Sequence, residues 1–467
     1  MLPRHQVLPL EMREQKVGVM TAVIAVFLVL LIGDANAAEL MAGPMVGHTT
    51  TTSADIWVET DQPAAVRVHY WTLAGEGPRL MRGHADGKTA VDYPYTGTVT
   101  LTGLRPRTRV HYDISLDGRK IRPLVPQTFF TMPGESRSNN PEKVSSFSVA
   151  FGSCLNPTQQ PMQPIFKEVL QHRPVAFLFI GDINYMPGRS HHYASDRATV
   201  RYAMGGYHRE VRHVPEVQAL MASTPCYGIW DDHDFGPNDS DRTCAFREET
   251  LEMYGRYWPN AGAGTVSTKG IFHSFRIADV EFFMLDDRYH RDPNQAEDRR
   301  TMFGDGQMKW LKDGLQASTA TFKVIANGNS MVVDSSRGDE VWDNFGSERD
   351  DFLKWLFDEG ISGVFFIVGD WHVGTLNKLY RPGDSYPLFE LLSSNAAVRT
   401  EPIRIRPKQG WRHNPQSDAS YYQGYNFGML RFSGRKGERQ VALQIIDEHG
   451  KVQIEQVLSE SDLKQVD

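Results

Sequence analysis

Residues 226–234 read Cys226-Tyr227-Gly228-Ile229-Trp230-Asp231-Asp232-His233-Asp234, a short run followed at once by three carboxylates and an imidazole. A run of this length suits a buried strand better than a helix. Taken alone, its acidic end has an ordinary explanation, because an Asp after a strand often caps a helix or forms a turn. The pattern repeats, however. Phe147–Phe151 leads to Ser153-Cys154, Val175–Ile180 to Gly181-Asp182, Val280–Leu285 to Asp286-Asp287-Arg288, and Val364–Val368 to Gly369-Asp370-Trp371-His372. A sixth run, Phe322–Ala326, is equally apolar. Helical stretches separate the runs, which predicts buried strands with helices packed on them. Open α/β sheets bind ligands outside the carboxyl ends of their strands, so five such ends place these groups in one crevice. Carboxylates crowded at a common edge repel one another and call for a cation. With histidine and a thiolate among them, they suit hard cations, or a harder metal beside a softer one.

Between the last two of these runs, Ser347 with Asp350 predicts a helix start, Phe352, Trp355 and Leu356 one buried face, and Gly360 the stop. Trp310, Leu311 and Leu315 have the spacing of a core-facing helix. After Pro387, the runs Phe389–Leu392, Met429–Phe432 and Val441–Ile446 predict strands of a second sheet. Ahead of residue 134 the periodicity is different. From Glu39 to Met132 it is short and alternating, as in Ile56 and Val58 or Val66, Val68 and Tyr70, which predicts a small β-sandwich over 39–133. The polar stretch Gly134–Lys143 reads as a linker to a larger α/β domain over 144–457.

The first 37 residues read as an address: Arg13 and Lys16 precede an apolar run from Val17 to Ile32, and Ala35-Asn36-Ala37 offers small residues for cleavage near Ala37-Ala38. The expectation is an exported protein, periplasmic or secreted, with no membrane span after processing. At 467 residues the chain should hold two or three units. Its formal net charge of −7 and the lack of a basic stripe argue against nucleic acid as a required partner. Three cysteines allow at most one internal disulfide and leave one thiol over. His191-His192 and the basic group Arg404, Arg406, Lys408 and Arg412 read as exposed, solvated residues.

In combination the strand-end motifs carry a family resemblance: F-G-S-C at Phe151–Cys154, G-D-x-x-Y at Gly181–Tyr185, W-D-D-H-D-F-G-x-N at Trp230–Asn238, L-D-x-R-x-x-R at Leu285–Arg291 and G-D-x-H at Gly369–His372. From Val144 to Val457 the chain resembles the alkaline phosphatase D (PhoD-like) branch of the calcineurin-like metallophosphoesterases. The resemblance implies a four-layer αββα sandwich and a mixed centre of iron (Fe3+) and calcium, with other divalent metals as alternatives. It implies Cys154 as a thiolate ligand, Asp182 as the bridge between metals, Tyr185 as a phenolate ligand, and Asp370 and His372 completing the cluster. It implies Asn238 as an amide-oxygen ligand on the calcium side. Asp232 and His233 stand where the superfamily keeps a ligand and a histidine that assists the leaving group, and Arg288 matches an arginine read as a clamp for phosphoryl oxygens. With Cys154 engaged, Cys226 and Cys244 are either both free or paired. Asn184 stands second after Asp182, where the family has an asparagine directly after the aspartate, and no Arg-Arg pair precedes the apolar run. In the first domain, Leu101–Tyr112 resembles the strand-turn signature of fibronectin type III-like domains, with Val110 where that family has its corner tyrosine.

The function expected on these grounds is hydrolysis of small or polymeric phosphate esters, monoester or diester, by a metal-activated water. The alternatives are a phosphodiesterase directed at a phospholipid or polymer, and a non-catalytic surface-binding protein built on a degenerate scaffold. The intact ligand positions Asp182 and His372 argue against the last.

Overall fold

A computed structural model of the chain describes residues 37–77, 79–135, 146–185, 196–294, 299–333, 340–381, 383–398 and 420–464. The expected leader, most of the Gly134–Lys143 linker, His191-His192 and Arg404 to Arg412 lie outside the described residues.

The N-terminal part is a sandwich of two antiparallel sheets. One holds β1 (Leu40–Thr49), β2 (Ala54–Thr60) and β5 (Thr96–Leu101) in the order β1-β2-β5. The other holds β3 (Ala65–Trp71), β4 (Arg82–Lys88), β6 (Arg109–Leu116) and β7 (Arg119–Lys120) in the order β4-β3-β6-β7, with β8 (Thr128–Phe130) on β6. Alternation does what the sequence pattern requires: Ile56, Val58, Val66, Val68, Val99, Val110 and Ile114 all face one buried core. Tyr112, two residues after Val110, sends its hydroxyl out of this core to donate to the Ala222 carbonyl at 2.8 Å.

The remainder is an α/β body of two sheets packed face to face. The first contains β9 (Phe147–Gly152), β10 (Ala176–Ile180), β11 (Cys226–Ile229), β19 (Asn426–Ser433), β20 (Gln440–Asp447) and β21 (Val452–Ser459), ordered β11-β10-β9-β19-β20-β21. The second contains β12 (His273–Ile277), β13 (Val280–Met284), β14 (Phe322–Asn327), β15 (Val364–Val368), β16 (Gly374–Leu379), β17 (Leu388–Ser393) and β18 (Ser420–Tyr422), ordered β12-β13-β14-β15-β17-β16-β18. Within them β9, β10 and β11 run parallel, as do β13, β14, β15 and β17. Phe432 on β19 packs edge-on and tilted against Phe282 and Phe322 of the facing sheet, so one hydrophobic core fills the gap.

Helices cover the outer faces and complete the four layers. Phe166 of α1 (Ile165–Gln171) packs on Phe177 and Phe179, and α2 (Arg197–Arg212) and α3 (Pro215–Ser223) complete that side. Beyond α4 (Asp232–Phe235) and α5 (Arg247–Tyr257) the chain reaches α6 (Gly304–Ala317), whose Trp310 lies on Phe272 and Phe283, and α7 (Gly346–Asp358).

Two expectations need correction. The late runs do not form a sheet of their own: Leu388–Ser393 joins the second sheet, whereas Asn426–Ser433 and Gln440–Asp447 extend the first through β9. Strand partners some 280 residues apart leave no local signal. Ser347 and Asp350 do not cap α7, which begins at Gly346 with Phe345 as N-cap and no side-chain cap bond. A 3-10 turn at Trp342–Phe345 feeds directly into that helix and supplies the start. Gly360, at φ 65°, ends it as expected.

Candidate metal centre

The strand ends converge as the apolar runs predict, and they do so under backbone strain. Cys154, Asp182, Asp370, His372 and Asn395 all adopt positive φ, between 53° and 79°. Each such non-glycine residue costs on the order of 1 kcal/mol, a cost that persists only where the surroundings fix the conformation. All five follow strands of the two sheets, where the chain turns sharply, and the turns at Cys154, Asp182 and His372 bring their donor atoms together.

Three overlapping groups of donors result, each with its ligand atoms within 4.8 Å of one another: Cys154, Asp182 and His372; Asp182, Asp232 and His233; Asp232, Asp239 and Glu340. Asp182 belongs to the first two groups and Asp232 to the last two. Tyr185 joins the first, its hydroxyl 3.1 Å from Asp182 Oδ2 and 3.3 Å from His372 Nε2, while Cys154 Sγ lies 3.6 Å from the same Asp182 oxygen. The first group thus presents sulfur, phenol, imidazole and carboxylate; the third presents carboxylate oxygens alone.

Electrostatics follow from burial. Burial drives the Asp182 carboxyl far above the usual range, and Cys154, Asp232, Asp231 and Asp234 add to this. Asp370 is raised by burial, by Glu340 and Asp232, and by Cys154. Burial pushes the Cys154 thiol up, but His372, Ser153 and Ser394 more than offset this and bring it to about 7. Burial lowers His233, against the pull of Asp232. Among the described residues, Asp182 Oδ1, Asp231 Oδ2, Asp287 Oδ1 and His233 Nδ1 are buried with no hydrogen-bond partner. Buried polar atoms are normally satisfied, so the orphaned Asp182 oxygen, grouped with a thiol and two imidazoles, fits metal ions as the missing partners.

Other carboxylates at these ends are structural. Asp234 Oδ1 accepts from the backbone of Ile183 at 3.0 Å and Asn184 at 2.7 Å, holding the loop between Asp182 and Tyr185. Asp286 Oδ1 accepts from Trp230 Nε1 at 2.7 Å and from the Tyr289 backbone at 2.9 Å. Asp287 Oδ2 and Asp231 Oδ1 both accept from Asn329 Nδ2, at 2.9 and 2.8 Å.

Arg288 is not placed as a substrate clamp. It is 0% exposed, and its guanidinium donates to Asp231 Oδ1 through Nε at 2.7 Å and through Nη2, to the Ser240 carbonyl at 3.2 Å, and to Glu340 Oε1 at 2.7 Å. Asp231 and Glu340 thus occupy the fork from inside the protein. Asn238 is exposed, and the carboxylate gathered with Asp232 is that of its neighbour Asp239, whose backbone N–H donates to Asp232 Oδ2 at 2.7 Å. Asp370 is outside the three groups, although its carbonyl oxygen lies 3.7 Å from Cys154 Sγ. Cys226 and Cys244 are both free.

Asp239 and Glu340 were not anticipated from sequence. Asp239 carries a weak signal, one position beyond the W-D-D-H-D-F-G-x-N motif. Glu340 carries none, because its position depends on Arg288 across the fold. The β14 and β17 ends, Asn329 and Ser394, were likewise missed.

The loop of Asp182 is backed from behind. Asn184 Nδ2 donates to His208 Nδ1 at 3.1 Å, a bond that requires the ring nitrogen to be unprotonated; burial, with Arg212 and Arg209, holds the His208 pKa well below its ordinary value. His208 stacks on Tyr257 with ring centres 4.4 Å apart, and the Tyr257 hydroxyl donates to Glu59 Oε1 of the sandwich at 2.8 Å. Arg209 donates to the same oxygen at 2.7 Å, and the Arg212 guanidinium lies 5.0 Å from the Trp57 ring centre.

Two facing mixed sheets, outer helices and overlapping acid, imidazole and thiol groups at the strand ends define a metallophosphoesterase. The chain belongs to the PhoD-like phosphatase family, whose model matches residues 149–443. Residues 37–133 match a model described as a domain of unknown function, DUF7800. Alkaline phosphatase D of Bacillus subtilis (strain 168) is 23% identical over 326 residues, which is 60% of this chain and 54% of that protein, so the match spans about half the relative's length. A solved structure of PhoD superposes with a TM-score of 0.72 at 15% identity, covering 92% of this chain and 91% of the other. Purple acid phosphatase PPD1 from yellow lupin (Lupinus luteus) seeds superposes at 0.61 with 12% identity, over 91% and 74%. At these identities the two structures are evidence for the fold.

Proposed function

We propose that this protein is an exported phosphatase or phosphodiesterase that hydrolyses phosphate esters at a multinuclear metal centre. The observation that carries the reading is the row of three donor groups linked through Asp182 and Asp232, in which Asp182 Oδ1 is buried with no hydrogen-bond partner among the described residues. Cys154, Tyr185, His372 and Asp182 suit Fe3+, since thiolate and phenolate are strong donors to a ferric ion. Asp232, Asp239 and Glu340 supply oxygens only and suit calcium, with Asn238 and Asp370 at the margins. Such ions would offset phosphoryl charge and acidify a water for in-line attack.

The chain's own groups do the rest. Asp182 holds the first two groups in register. His233, packed against Tyr185 with ring centres 4.5 Å apart, has a buried Nδ1 with no hydrogen-bond partner among the described residues and is the group to give a proton to the departing alkoxide. Arg288 keeps Asp231 and Glu340 in place as a positioning residue. Export is supported by Arg13 and Lys16 ahead of the Val17–Ile32 run, and by Ala35-Asn36-Ala37 after it; among the described residues no helix is long and apolar enough to cross a membrane.

The test is a p-nitrophenyl monoester and a bis-p-nitrophenyl diester assayed on metal-analysed protein. Turnover of at least one, abolished by chelation and restored by Fe3+ with Ca2+, is the expected result. No turnover of either by fully metallated protein would overturn the proposal.

A further inference from the structure

We propose that Ser394 is a positioning residue of the metal centre, tying Cys154 to His372 and tuning the sulfur by donating its hydroxyl proton to Sγ. The inference rests on the reading of Cys154 and His372 as metal ligands.

Ser394 follows β17 and is 0% exposed. Its Oγ accepts from the His372 backbone N–H at 2.7 Å and lies 3.0 Å from Cys154 Sγ. A hydroxyl has one proton, and with the His372 N–H pointing at the oxygen, that proton is free to turn to the sulfur. The residue has little freedom to do otherwise. Its own N–H donates to the Val373 carbonyl at 3.0 Å, and its carbonyl accepts from Asn426 Nδ2 at 2.7 Å. Two residues on, the N–H groups of Ala396 and Ala397 donate to the carbonyls of Ser153 and Cys154 at 3.0 and 3.1 Å. One serine thus fixes two ligands that arise from different sheets. Ser153 Oγ is 3.4 Å from Sγ and equally far from the Ser393 carbonyl, so it is a weaker partner than Ser394.

A thiolate that accepts a hydrogen bond holds its lone pairs more tightly and gives less charge to a metal. Its sulfur-to-metal charge-transfer band therefore lies at shorter wavelength than that of an unassisted thiolate. Partners of this kind are worth roughly 10–100-fold in metal affinity.

The experiment uses the metal-stripped full chain titrated with Co2+, following the thiolate-to-cobalt band in the near ultraviolet. The wild type should show the band. Ser394→Ala should move it to longer wavelength and weaken Co2+ binding by roughly tenfold or more. Ser394→Thr and Ser394→Val share one shape and differ only in the hydroxyl, so the band should return with Thr and stay shifted with Val, even if the Ala variant folds poorly. An unchanged band position and affinity in Ala and Val would overturn the role of Ser394 while leaving Cys154 a ligand. A wild type with no thiolate band would overturn the ligand reading itself, and this inference with it.

Discussion

Arg288 Nη2 lies 2.7 Å from Glu340 Oε1 while Nε of the same side chain lies 2.7 Å from Asp231 Oδ1, so one buried guanidinium neutralises carboxylates from two separate loops. Removing a partner from a buried ion pair leaves uncompensated charge and costs about 3–5 kcal/mol. Arg288→Ala should therefore lower stability by that order in urea unfolding of the chelated protein, and Arg288→Lys should not rescue it, because a point charge cannot reproduce the fork. Normal stability with a fall in kcat alone would return Arg288 to the role of substrate clamp.

Asp182 is shared by the sulfur-bearing donor group and the middle one. Asp182→Asn removes the charge common to both, so elemental analysis should find the centre depleted and activity lost even with metal in excess. Retention of full metal content with near-normal rates would refute a bridging role.

His233→Ala should slow alkyl esters by roughly a hundredfold or more, the scale for a general acid, and aryl esters with good leaving groups far less. Steady-state kinetics on a nitrophenyl and an alkyl phosphate make the comparison. Equal losses on both would point instead to His233 as a ligand, a place its grouping with Asp182 and Asp232 also permits.

Purified active protein should contain iron and give a visible charge-transfer band from Cys154 and Tyr185, with calcium required for turnover. Active protein containing zinc alone would refute the iron assignment and leave the fold untouched.

Stability should fall in acid through His273, which is buried beside the stacked rings of Tyr227 and Phe275 and whose Nε2 has no partner among the described residues. Burial lowers its pKa from 6.5 to about 4, against a bond from its ring to the Ile271 carbonyl. Between those values the unfolded chain binds the proton and the folded chain does not, so stability declines as pH drops from 6.5 to 4 and levels off below. The loss is on the order of 3 kcal/mol. His273→Phe should flatten that part of the stability curve, measured by urea unfolding at pH 7, 5.5 and 4.

What could be read in advance was whatever a short window of chain decides. Apolar runs ending on Cys154, Asp182, Asp232 or His372 announce buried strands and their chemistry, because burial and the strand-end turn are both local. The division of strands between sheets was hidden, since β19 meets β9 only after the chain has closed on itself. Arg288 and Glu340 were opaque for the same reason. An arginine beside two aspartates looks alike whether it faces substrate or supports the floor beneath it, and only the three-dimensional partners distinguish the two. Ser394 and Asn329 look like ordinary loop residues until the ligands they hold are seen around them.

The contact from Glu59 through Tyr257 and His208 to Asn184 alters how the front domain should be regarded. Sequence offers the polar stretch after Gly134 as the natural place to cut, and family models divide the chain there too. A fragment begun at residue 144 would nonetheless inherit a Tyr257 hydroxyl and an Arg209 without their carboxylate, and an Arg212 without one of its aromatic neighbours. The wall behind the Asp182 turn would be missing its outermost course. Recombination that exchanges the front piece between relatives has to carry Glu59 and Trp57 along with it, so the heritable module is longer than the catalytic one.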